Sequence, residues 1–252
     1  MKTIYLNKIE FRYDNIEELK EQLKEREIIV GKGSTIGDYT SLANKISIGN
    51  NVTVGSYCSI GNNTVLQTNS KLGNRSSIGN NCLLSTNVIA GYRSLIGNSV
   101  SVLSDSVINN RCIIGNNCII GANCVIGSNT IIKNFVSIGN NVLIGKDVLL
   151  SYDCSVRDFS VISTGSCIGD FASIKENIMI DKNIYIVGSL GPKSTITYIG
   201  NDMVSVGCRT FTLDELTKNL PNICKQEGMT DEQIKEYNTY LSMVKQFREY
   251  ER

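Results

Sequence analysis

The chain has 252 residues, long enough for one elongated domain with small terminal additions, and its 25 basic and 24 acidic side chains leave a formal charge of +1. A near-neutral balance argues against a surface built for a nucleic-acid polymer, no apolar run reaches membrane-spanning length, and the first 28 residues are too charged for a signal peptide. There is no histidine, which removes His-ligated metal chemistry and the commonest general base.

Residues 1–29 read as a cap. Thr3 to Leu6 suits a short strand, and Asp14 or Asn15 suits the N-cap of a helix running through Leu19 and Leu23 to about Arg26. The expected role is to cover the open edge of the segment that begins at Val30, because a bare β edge invites aggregation.

From Val30 every sixth residue is aliphatic: Ile36, Leu42, Ile48, Val54, Ile60 and onward without an insertion to Ile180 and Ile186. Ala90 is the only small member of the series. The next position is often Gly, as at Gly31, Gly37, Gly49 and Gly73, where a turn with positive φ is expected. A helix cannot use a period of six, since the position drifts around its surface; short strands joined by tight turns can. Three such units make a triangular coil of 18 residues, and the 27 units spanning residues 30–190 predict about nine coils.

Six of the nine cysteines (Cys58, Cys82, Cys112, Cys118, Cys124, Cys154) fall at the small inward position, where Cys packs as a small hydrophobe. Repeated Ile-Gly-Asn-Asn tracts, such as 48–51 and 78–81, read as turn chemistry, because Asn tolerates left-handed backbone. The outward residue before each aliphatic is mostly serine on one face. On the other two it turns apolar, with Ile89, Val107, Val125 and Leu143 on one and Leu95, Ile113 and Ile131 on the next. Two adjoining apolar strips predict side-by-side packing of copies.

The vertex between those strips carries Tyr39, Tyr57, Arg75, Arg93, Arg111, Asn129 and Asp147 at intervals of 18. Three stacked arginines read either as solvated turn residues fanning apart or as an anion site, since guanidinium forks suit phosphate oxygens. Tyr92, beside Arg93, joins Tyr57 and Tyr39 as a surface where a ring could stack.

After Ile186 the period fails. Residues 191–252 predict a hairpin (Ser194–Ile199 and Met203–Gly207) and a short helix capped by Thr212 and ended by Pro221. A last helix comes after it, capped by Thr230 and Gln233, with Ile234, Tyr237, Leu241, Val244 and Phe247 along one side.

The unbroken six-residue repeat resembles that of the hexapeptide-repeat acyltransferase superfamily. The tract Gly191-Pro192-Lys193-Ser194 with Gly207-Cys208 resembles a tail of uncharacterised bacterial proteins carrying the same repeat. The resemblance implies an all-β solenoid, a left-handed parallel β-helix, and a homotrimer. It also implies acetyl-CoA or another acyl-CoA as donor, with an amine or hydroxyl of a sugar or small metabolite as acceptor. On that reading Arg75, Arg93 and Arg111 hold phosphates, and Asp147 is the candidate base in place of histidine. The alternative is a non-catalytic trimer that senses or sequesters a nucleotide or other phosphorylated small molecule; a purely structural trimer is the third reading. All three place the chain in the cytoplasm, with no metal, no nucleic-acid polymer and no membrane.

Overall fold

The computed structural model describes residues 1–180, 196–200, 203–206, 209–226, 230–231, 234–235, 238–239, 241–242 and 245. Strands of two or three residues recur every six, from Ile29–Val30 to Met179–Ile180, and each pairs in parallel with the strand 18 residues on. They form three faces. Face I runs from Ile29–Val30 to Ser173–Ile174 with nine strands, and face II from Thr35–Ile36 to Met179–Ile180 with nine. Face III runs from Thr40–Leu42 to Cys167–Ile168. Among the described residues this is eight complete coils and two strands of a ninth; the third unit of that coil, at Ile186, lies outside the described residues.

The six-residue aliphatics point inward and are buried from Ile36 to Ile180, Ile108, Ile120, Ile126 and Ile144 among those with no exposure, while Val30 at the first edge is partly buried. Small polar residues share that interior where the hydroxyl finds a carbonyl: the Ser76 hydroxyl donates to Gly91 O at 2.8 Å and accepts from the Ser94 N–H at 3.1 Å. The six cysteines take the same place, with Cys112 Sγ 3.1 Å from Gly127 O and Cys118 Sγ 3.0 Å from Lys133 O. Asparagines tie the turns from coil to coil. The Asn62, Asn80 and Asn98 N–H groups donate to Oδ1 of Asn80, Asn98 and Asn116, each at 2.7 Å.

One expectation is corrected. The glycine after each aliphatic is not where φ turns positive. That conformation falls two residues later, on Asn51 (φ 55°), Arg75 (58°), Arg93 (55°) and their equivalents. Glycine is required instead by close approach between coils: a Cβ on Gly73 would stand 2.5 Å from Tyr92 N.

Strand β1 (Lys2–Leu6) pairs antiparallel with β2 (Ile9–Tyr13) and in parallel with Thr40–Leu42, so the cap closes the first edge of face III. The predicted first helix is split into a 3-10 turn, Ile16–Leu19, and helix α1, Lys20–Glu25. Asn15 is its N-cap, with the Glu18 carboxylate accepting the Asn15 N–H at 3.1 Å.

Beyond the solenoid, the expected hairpin gains a strand: Ile196–Gly200, Met203–Val206 and Arg209–Thr212 form an antiparallel meander. Thr212 caps α2 (Leu213–Gln226), its hydroxyl accepting the Glu215 N–H at 3.1 Å. The helix does not stop at Pro221. Proline has a helical φ but loses one N–H and crowds the carbonyl four residues back; buried Leu213, Leu216 and Leu220 anchor the helix against that cost. Described positions between 231 and 245 are helical, with Ile234 N–H donating to Thr230 O at 3.0 Å and Leu241 buried. Tyr237, Val244, Phe247, Gln233, Ser194, Gly207, Cys208 and the 191–194 tract lie outside the described residues.

Candidate functional site

Faces II and III meet at the vertex that carries the arginines. Each member of that column is held by its own backbone: the N–H groups of Arg75, Arg93 and Arg111 donate to the carbonyls of Ser56, Asn74 and Tyr92, each at 2.9 Å. Sheet pairing therefore fixes the pitch at about 4.8 Å per coil. Side chains cannot drift apart at their roots. Three guanidiniums consequently share one ridge, each adjacent pair repelling by about 1 kcal/mol in water.

A groove of about 480 Å³ opens along the ridge, lined by Ser56, Tyr57, Asn74, Arg75, Tyr92, Arg93 and Arg111. Five of the proposed site residues are thus brought together, and the lining contains no carboxylate. Among the described residues no ion pair reaches the three arginines. From Tyr39 to Lys146 the chain carries seven Lys or Arg side chains and one carboxylate, Asp105. Asp105 sits at the vertex between faces I and II, where it accepts from Asn87 Nδ2 at 2.8 Å. The middle of the solenoid is basic although the chain as a whole is nearly neutral.

Aromatic rings order the arginines. Arg75 lies over the Tyr57 ring at 5.9 Å from its centroid, and Arg111 over Tyr92 at 5.8 Å, both within the range of cation–π attraction. Tyr39 stacks on Tyr57 at 5.1 Å with 16° between planes. Tyr39 itself is outside the groove lining. Arg93 has neither a ring nor a carboxylate among the described residues.

Asp147 occupies the same column two coils beyond Arg111, about 10 Å along the axis. It is exposed and accepts from Asn129 Nδ2 at 2.9 Å. No signal in the sequence pointed to Ser56 and Asn74, which line the groove from the position preceding the column. Asn74 Oδ1 accepts the Ser56 N–H at 2.9 Å and so shapes the groove floor.

The adjoining strips are exposed as expected. Ile89, Val125 and Leu143 on face II and Leu95, Ile113 and Ile131 on face III are exposed, Leu95 at 48%, while Val107 in the face II strip is half-buried. Among the described residues no group of three or more Cys, Asp or Glu side chains is placed to hold a metal, and no helix is long and apolar enough to cross a membrane.

A UDP-N-acetylglucosamine acyltransferase of Francisella novicida superposes with a TM-score of 0.52 at 18% identity, over 83% of this chain and 75% of that one. The chain shares the hexapeptide-repeat β-helix fold. The Arabidopsis UDP-N-acetylglucosamine acyltransferase is also similar, at 17% identity and a TM-score of 0.41, over 77% of this chain and 73% of that one. A family model described as the GMPPB C-terminal domain matches residues 60–158, a stretch that includes all three arginines. No match was found among the curated proteins compared.

Proposed function

We propose that the chain is a hexapeptide-type acyltransferase that takes an acyl group from acetyl-CoA or another acyl-CoA. The acceptor is an amine or hydroxyl of a sugar or small metabolite, and the work is done in the cytoplasm. The observation that carries this reading is the groove of three uncompensated guanidiniums on a solenoid that superposes on an acyltransferase of nucleotide-sugar type. Guanidinium forks suit the donor's phosphate oxygens. The acceptor's nitrogen or oxygen attacks the thioester carbonyl, its proton passes to the Asp147 carboxylate, and the thiolate leaves and is protonated. The separation of Asp147 from the groove suits a donor whose thioester lies far from its phosphates. Exposed apolar strips on faces II and III support a homotrimer, in which neighbouring copies cover them.

A second reading is a non-catalytic trimer that senses or sequesters a nucleotide or other phosphorylated small molecule. It is favoured by the absence of histidine from the chain and of any carboxylate from the groove lining.

Thiol release from acetyl-CoA, followed with amino-sugar and small-amine acceptors, separates the two. The transferase reading expects turnover that falls about 100-fold in Asp147→Asn while CoA binding is unchanged. Binding of CoA or a nucleotide with no thiol release from any acceptor would select the second reading.

A further inference from the structure

We infer that the arginine groove recognises its ligand by the number of linked phosphoryl groups and not by a base, with Arg93 as the residue that makes the discrimination. The inference rests on the anion-site reading above and specifies which anion.

Both faces of the Tyr57 ring are already taken, one by Tyr39 and the other by Arg75. One face of Tyr92 is taken by Arg111. The rings expected as platforms for a ligand base therefore serve as rests for guanidiniums. A guanidinium held over a ring by its charge still has N–H donors to offer an oxyanion. Arg75 and Arg111 are thus held near the two ends of the groove, roots two coils or about 10 Å apart. Arg93 stands between them, free of any ring or carboxylate among the described residues.

A single phosphate can engage one step of this column and leaves the remaining guanidiniums unpaired. A diphosphate or longer chain can bridge Arg93 to a neighbour on either side, removing like-charge repulsion at each step. Charge multiplicity is the property the groove can measure. With Tyr57 placed between Tyr39 and Arg75 and one face of Tyr92 under Arg111, a purine or pyrimidine has only the second Tyr92 face left to stack on.

The test is calorimetric titration of the intact chain, without divalent metal and at constant ionic strength, with inorganic phosphate, pyrophosphate, tripolyphosphate and ADP. Pyrophosphate should bind at least tenfold tighter than phosphate, tripolyphosphate at least as tightly as pyrophosphate, and ADP within about threefold of pyrophosphate. Arg93→Ala should bring pyrophosphate down to the phosphate level, and Arg93→Lys, which keeps charge without the fork, should fall between. Circular dichroism confirms that each variant is folded. Equal binding of phosphate and pyrophosphate, with both lost in Arg93→Ala, would overturn the discrimination while leaving the anion site standing. ADP binding tens of times tighter than pyrophosphate would overturn the base-blind part. No binding of any of the four would overturn the anion site itself.

Discussion

Gly73 lies so close under Tyr92 that a Cβ at residue 73 would stand 2.5 Å from the Tyr92 nitrogen and 2.8 Å from its Cα. The contact joins the strand-end glycine of one coil to the residue that supports Arg111 in the next. Gly73→Ala must therefore move backbone, not a side chain tip, and is expected to cost about 3 kcal/mol by chemical denaturation. It should also weaken anion binding. Gly49→Ala, whose Cβ would meet Thr68 N at 2.8 Å on another vertex, supplies the control: comparable destabilisation with binding retained.

Tyr92 acts on the ligand only through Arg111. Tyr92→Leu keeps every positive charge but removes the ring beneath that guanidinium, so pyrophosphate affinity should fall about two- to fivefold, the worth of an exposed cation–π pair. Tyr92→Phe should bind like the parent chain. Equal loss in both variants would mean that the hydroxyl, not the ring, is what counts.

Ile113 stands 43% exposed in the strip on face III, with Leu95 and Ile131 in the coils on either side. A carboxylate there would be buried unpaired by a neighbouring copy, so Ile113→Glu should break the assembly into chains of 27.7 kDa. Light scattering after size exclusion reads the mass directly. An unchanged multimer would exclude this strip from the interface.

Buried thiols make stability depend on pH at the alkaline end. Burial pushes the Cys154 thiol from its ordinary 9.0 up to about 12. Above pH 9 the unfolded chain releases this proton while the fold retains it, so the unfolded state binds fewer protons and stability falls as pH rises. The contribution is full below about pH 9 and lost progressively towards pH 12, at roughly 1.4 kcal/mol per pH unit for one such thiol. Burial raises Cys58, Cys82, Cys112, Cys118 and Cys124 as well, adding to the slope. Cys154→Ala should have a shallower alkaline decline by about one proton's worth, measured by denaturation midpoints from pH 7 to 11.

The solenoid was legible because its order is one-dimensional: a residue's number fixes its face and height, so Arg75, Arg93 and Arg111 could be stacked from spacing alone. Inward cysteines and turn asparagines were legible for the same reason. What spacing cannot carry is how side chains turn at their own χ angles. Hence the tyrosines read as platforms, whereas Tyr57 is sandwiched between Tyr39 and Arg75. Glycine was assigned the positive φ because it adopts it at least cost, yet the demand for space between coils outweighs that preference. The pairing of β1 with Thr40–Leu42 and the run of α2 through Pro221 depend on tertiary partners, which no local pattern encodes.

Left-handed backbone recurs at one turn position per strand and is borne there by Tyr39, Arg93, Asn129 and Asp147 on the same ridge. Asn129 and Asp147 are of the types that bear this conformation at least cost, whereas Tyr39 and Arg93 have it imposed by the sheets on either side, with the side chain pointing away from the core. Composition along the ridge can change without renegotiating the fold so long as the residue tolerates positive φ. The ridge behaves as a row of sockets at constant pitch, which here carry aromatic, cationic, amide and acidic groups in turn. A ligand's length and charge sequence can then be matched by editing single residues, one coil at a time.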